Sequence, residues 1–193
     1  MNRKVTSSRL TQETQIECVL DLEGSSEVQV ATGIGFLDHL LTSLAYHARF
    51  DLKLQVQGDL QVGDHHIAED CGIILGEALD RALGERKGIA RFGWALVPMD
   101  EALARAAVDL ASRPFSAIKL GLKRESIGGL STENAAHLLG SFATSAKICL
   151  HLEVLCGNND HHRAEAAYKA VALALRCALE KAGDYVPSTK GVL

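Results

Sequence analysis

A chain of 193 residues, 47% of them hydrophobic, can bury a sizeable core, and its net charge of −4 without any long run of Lys or Arg argues against a nucleic-acid footprint. No window reaches the roughly 18 apolar residues of a membrane-spanning helix, and the opening stretch Met1 to Thr6 lacks the apolar segment of a signal peptide. Five cysteines at 18, 71, 149, 156 and 177, odd in number and without CxxC spacing, read as reduced thiols in a cytoplasmic protein.

In chain order, Thr14 to Leu22 and Val28 to Ala31 read as an antiparallel pair of strands around Gly24-Ser25-Ser26. Phe36 to His47 reads as a helix, with Leu37, Leu40, Leu41 and Leu44 at helical spacing. Asp51 to Gln57 alternates as a half-exposed strand does. From His65 to about Leu83, positions 67, 71, 74, 75, 78, 79 and 82 form one apolar face, with Asp64 where an N-cap belongs. Ala90 to Val97, Ala104 to Leu110 and Ser116 to Leu120 supply further strands. Thr132 to Ile148 is a helix capped by Ser131 or Thr132, and His151 to Leu155 is a strand. His161 to Lys181 is a second long helix, capped by Asp160 and ending at Gly183. The expectation is an α+β fold. Two duplicated strand-strand-helix-strand-helix halves, 1–90 and 91–193, pair their sheets and stack helices on them as one helix-on-sheet sandwich.

The duplication is visible in the residues. Asp64-His65-His66-Ile67-Ala68-Glu69 recurs 96 positions later as Asp160-His161-His162-Arg163-Ala164-Glu165. Ala78-Leu79 and Ala82-Leu83 recur as Ala174-Leu175 and Ala178-Leu179, and His39-Leu40-Leu41 has its counterpart in His137-Leu138-Leu139. Six of the eight histidines and two glutamates thus fall into two equivalent sets; His47 and His151 lie outside them.

Residues four apart on a helix share a face, so His65 with Glu69, and His161 with Glu165, can reach one ion. Adjacent residues point about 100° apart, so His66 and His162 serve a different centre or a different protein surface. The positive end of the helix dipole disfavours protonated imidazole, which favours the neutral, metal-binding form. Imidazole and carboxylate without thiolate suit Mn, Fe, Ni, Co or Zn. One HHxxE at a helix start could be a solvated surface; its recurrence with a matching upstream His argues against that.

At these residues the chain resembles the imidazoleglycerol-phosphate dehydratase family. The resemblance runs through R-x-T-x-E-T (Arg9 to Thr14), G-x-G-F-L-D-H (Gly33 to His39), D-H-H-x-x-E-D (Asp64 to Asp70), the second H-H-x-x-E (His161 to Glu165) and P-S-T-K-G (Pro187 to Gly191). Gly63 departs from it, since many members carry Asp there. The resemblance implies a hydro-lyase of histidine biosynthesis that converts imidazole glycerol phosphate to imidazole acetol phosphate. It implies two Mn(II) ions and a 24-subunit homo-oligomer with metals between subunits. It places metal ligands at His39, His65, His66, Glu69, His137, His161, His162 and Glu165, and substrate contacts at Glu13, Arg91, Arg113, Ser188 and Lys190.

For such a reaction, metal bound to the imidazole ring makes it an electron sink for loss of hydroxide, and a carboxylate moves the carbon proton. Glu13 is the candidate, with Glu165 as partner. Arg91 and Arg113 can clamp phosphate oxygens, with Ser188, Thr189 and Lys190 completing the cradle. Two rivals use the same ligands: a dinuclear hydrolase, which would release phosphate, and a metal-organised structural shell, which would not need the arginines or the tail.

Overall fold

The computed structural model describes residues 3–191. The first half runs β1 (Lys4–Leu10), β2 (Thr14–Asp21), β3 (Val28–Ala31), α1 (Gly35–Ala48), β4 (Asp51–Gly58) and α2 (His65–Leu83). The second runs β5 (Phe92–Met99), β6 (Ala102–Asp109), β7 (Phe115–Lys119), a small hairpin of β8 (Ser126–Ile127) and β9 (Leu130–Ser131), α3 (Thr132–Ser145), β10 (Cys149–Cys156) and α4 (Asp160–Ala178). The sheet orders, β1-β2-β4-β3 and β5-β6-β10-β7, are the same topology twice. Each four-stranded sheet carries one strand more than the expected unit, and the second half adds the β8–β9 hairpin; in the first sheet the extra strand is β1, whose KVTSSRL pattern buries neither face fully.

The expected β2–β3 hairpin is not formed. β4 lies between them, antiparallel to β2 and parallel to β3, because α1 carries the chain across from β3 to β4. The two sheets also do not pair with each other. α1 and α2 cover the first sheet, α3 and α4 the second, and the helix layers meet through α1–α4 and α2–α3 contacts. The order is sheet, helices, helices, sheet, and the buried apolar residues form one core.

Four helix ends differ from expectation. Asp64 stands at the N-cap position of α2 without a side-chain cap bond; its carboxylate instead accepts from Ser131 N–H (2.6 Å) and Ser131 Oγ–H (2.8 Å), tying the start of α2 to that of α3. The cap of α4 is Asn159, which accepts from His161 N–H at 2.9 Å, while buried Asp160 accepts from the N–H groups of Lys123 and Arg124. α4 ends at Ala178 because the chain turns back to bridge Lys181 to Ile89, and α3 ends at Ser145 because Lys147 adopts φ 53° and Ile148 N–H returns to Ala143 O.

Candidate functional site

The packing of α1 on α4 and α2 on α3 exchanges histidines between halves. His39 of α1 joins His161 and Glu165 of α4; His137 of α3 joins His65 and Glu69 of α2. In each trio the potential ligand atoms lie within 4.8 Å of one another. His39 Nε2 and His161 Nε2 stand 3.0 and 3.1 Å from Glu165 Oε2, and His137 Nε2 stands 3.1 Å from Glu69 Oε1. Cis ligands bound at about 2.1 Å sit roughly 3 Å apart, so the spacing and the nitrogen–oxygen donor set both fit a divalent transition metal.

Local anchors set these positions. Asp38 accepts from Thr32 N–H and Oγ–H, fixing the start of α1 one residue before His39. Buried Asn134 faces His65 Nδ1 through its Oδ1 at 3.0 Å; with the proton on Nδ1 this leaves Nε2 for a metal. Lys169 Nζ lies 2.6 Å from Glu165 Oε1. Burial pushes the Glu165 carboxyl up, but Lys169 and His39 outweigh it and bring it down to about 2. Ile73 occupies the equivalent place beside Glu69, at an open groove of about 820 Å³ between α2, α3 and β7 that is also lined by Ser116, Glu133, Ser141 and Thr144.

His66 and His162 point elsewhere, each into a pair of carboxylates. His66 Nδ1 is 3.1 Å from Asp59 and its Nε2 3.5 Å from Glu13 Oε1. His162 Nδ1 is 2.8 Å from Glu101 Oε2 and its Nε2 3.6 Å from Asp100 Oδ2. The helix end is not the strongest influence on these two rings. The carboxylates, Asp59 foremost for His66 and Glu101 for His162, raise both imidazoles. Glu101, hydrogen-bonded to His162 and to the N–H groups of Asn159 and Asn158, is lowered to about 2. Sequence reasoning missed Asp59, Asp100, Glu101 and Asn134. For the three acids the available signal was a carboxylate in a turn bordering a strand, Asp59 directly after β4 and Asp100 and Glu101 between β5 and β6; Asn134 lies inside α3 and carried none.

Glu13, at the β1–β2 turn, touches His66; Glu165 sits instead with His39 and His161, so the structure separates the two proposed acid–base partners within one chain. Arg91 donates from Nε and Nη2 to Asp109 and from Nη1 to the Pro187 carbonyl, holding the tail that carries Ser188 and Lys190. Arg113 lies 3.7 Å from Asp109 and is mostly exposed. This cationic group sits where β5 begins and β6 ends. Asp100, Glu101 and His162 lie at the other end, about 25 Å away along the eight residues of β5. His151, outside the repeat, packs against Phe115 with ring centroids 5.4 Å apart and the planes tilted by 38°. Among the described residues no helix is long and apolar enough to cross a membrane.

Residues 32–175 match the family model described as imidazoleglycerol-phosphate dehydratase. A Candida glabrata protein named imidazoleglycerol-phosphate dehydratase is 52% identical over 204 residues, covering 96% of this chain and 97% of that protein. A Phytophthora nicotianae protein of the same name is 56% identical over 99% of this chain, which spans only 42% of its length. The solved structure of imidazoleglycerol-phosphate dehydratase from Staphylococcus aureus superposes with a TM-score of 0.84 at 32% identity, covering 93% of this chain and 99% of that one.

Proposed function

The chain belongs to the imidazoleglycerol-phosphate dehydratase family, and on that premise we propose that it removes water from imidazole glycerol phosphate, a phosphorylated small molecule, in histidine biosynthesis. It is a carbon–oxygen lyase, a hydro-lyase. The reading includes two Mn(II) ions per site, ligated by His39, His161 and Glu165 and by His65, Glu69 and His137, with His66 and His162 completing the coordination of a neighbouring copy. The observation that carries it is the pair of equivalent trios, each built from both halves. We read the halves, 1–90 and 91–193, as one duplicated cytoplasmic dehydratase domain that assembles as a 24-mer.

Assembly is supported by the geometry. His39, His137, His161 and Glu69 side chains are about 40–45% exposed, so each trio has an open side. The Arg91–Arg113–tail group lies far from His162 of the same chain, and a second copy can bring the two kinds of group together. When bound, the ions supply Lewis acidity to the substrate's imidazole ring. The residues of this chain do the rest. Glu13, whose Oε1 lies 3.5 Å from His66 Nε2, moves the carbon proton, with Glu165 contributing from its own trio. Arg113, Ser188 and Lys190, with Arg91 fixing the tail, hold the phosphate, and that remote binding energy positions the reacting end.

The test is turnover of imidazole glycerol phosphate before and after chelation, with Mn(II) then restored, alongside light scattering. Lost and recovered formation of a ketone that keeps its phosphate supports the reading. Full turnover by metal-free protein, or release of inorganic phosphate, overturns it; a particle that stays monomeric when metal-loaded removes the 24-mer.

A further inference from the structure

We propose that Asp70 is a positioning residue for the reaction: through Arg9 and Thr14 it clamps the β1–β2 turn so that Glu13 stands beside His66. The inference rests on the role given above to Glu13. Asp70 is a buried acid on α2, one residue beyond Glu69 and four beyond His66. Its Oδ1 accepts from Arg9 Nε at 2.8 Å and its Oδ2 from Thr14 Oγ1 at 2.5 Å. Arg9 is the penultimate residue of β1 and Thr14 the first of β2, so one carboxylate grips both strands at the mouth of the turn.

The turn itself is tied at each backbone group of Glu13. Thr11 Oγ1 accepts from the N–H groups of Glu13 (3.1 Å) and Thr14 (2.9 Å), and Asp59 N–H donates to Glu13 O at 3.2 Å. Only the Glu13 side chain is left free, half-exposed, with Oε1 3.5 Å from His66 Nε2. Burying a carboxylate is costly unless both oxygens find donors. Here both do, and both donors belong to the segment that carries Glu13.

The duplication separates this role from metal binding. At the equivalent position of α4 stands Ala166, next to Glu165 in the same His–Glu pattern. The trio on α4 forms without an acid there, so the trio on α2 has no need of Asp70. The second half also has a shorter turn, Asp100-Glu101, tethered by a different device in which Glu101 accepts from Asn158 and Asn159. The buried acid occurs in the half whose three-residue turn carries Glu13.

The experiment compares Thr14→Val, Glu13→Gln and the double variant as metal-loaded, assembled protein acting on imidazole glycerol phosphate. Valine keeps the branched shape and removes only the hydroxyl. Thr14→Val is expected to lower kcat about 10- to 100-fold with KM and bound metal unchanged, as misplacement of a reacting group does. In the Glu13→Gln background it should lower kcat no further, because both changes act through one group. Amide hydrogen exchange at residues 11–14 should quicken. Asp70→Asn is the companion variant and should reproduce the kcat loss. A Thr14→Val enzyme with unchanged kcat, or losses that multiply in the double variant, returns Asp70 to a packing role. Unchanged exchange at 11–14 removes the clamp alone, whereas full activity of Glu13→Gln removes the assignment of Glu13 and the inference with it.

Discussion

Replacing Gly72 by Ala probes the helix spacing that builds one of the trios. A Cβ at Gly72 would run into the Leu138 carbonyl oxygen and come to 3.0 Å from Ser141 Cβ; one turn on, a Cβ at Gly76 would meet Phe142 O at 2.5 Å and Ala146 N at 2.8 Å. The obstructing atoms are mostly backbone of α3 and cannot swing aside, so α2 and α3 must part by on the order of 1 Å. Helix propensity favours Ala by about 1 kcal/mol, and overpacking costs about 1–3 kcal/mol. With rigid backbone in the way the upper end applies, for a net loss of about 2 kcal/mol. For a chain of this size that lowers the melting midpoint by about 4–8 °C. The same shift draws His137, adjacent to Leu138, away from Glu69. Metal affinity should therefore fall at His65–Glu69–His137 and hold at His39–His161–Glu165. Thermal melts of chelated protein and metal titration of the folded protein read the two effects. An unchanged or higher midpoint together with two unaltered metal affinities would refute the reasoning that a missing side chain sets this spacing.

Glu165 makes acid stability predictable in sign. Its carboxyl is lowered from 4.5 to about 2, where Lys169 and His39 outweigh the opposing effect of burial. A depressed carboxylate stabilises the fold above its unfolded value and loses that contribution as pH falls from about 4.5 through about 2. Denaturant melts of metal-free protein should show a stability loss in that window that is smaller in Glu165→Gln; parallel pH curves would contradict this. Arg91→Ala should lower stability by about 2 kcal/mol, because Asp109 loses two hydrogen bonds and Pro187 O loses its donor, and should also raise KM. Arg113→Ala, at a side chain 69% exposed, should raise KM with the melting midpoint held; equal midpoint losses in the two variants would count against the division of labour. Lys190→Ala should raise KM in steady-state assays, and an unchanged KM would take the tail out of the phosphate site.

The parts of this molecule that could be read ahead of its structure are those governed by local periodicity. α2 begins at His65 and ends at Leu83 as its apolar spacing indicates, and β4 matches the alternation from Asp51. Strand partnership was not legible: a period of two says that β2 and β3 are strands but not that β4 separates them. β1 escaped notice because Ser7 and Ser8 interrupt any apolar alternation. The four-residue spacing of His65 with Glu69 and of His161 with Glu165 predicted that each pair lies side by side, since one helix fixes it. Which lone His joins which pair depends on how four helices pack, and nothing local encodes that His39 travels to α4 and His137 to α2. Asp59 lies in the loop that leads into α2, and Asp100 and Glu101 in the β5–β6 turn, which meets His162 only once the second sheet and α4 pack together.

The exchange of histidines would make an ion bound in either trio a clasp between the halves. A peptide comprising one half would own a lone His and a His–Glu pair with no way to close them on each other, whereas two such peptides related by a two-fold axis would close both centres in a single encounter. Cutting the backbone near Gly88 would turn metal concentration into the variable that governs whether the fragments reunite, since the ligand energy is released only in the joined state.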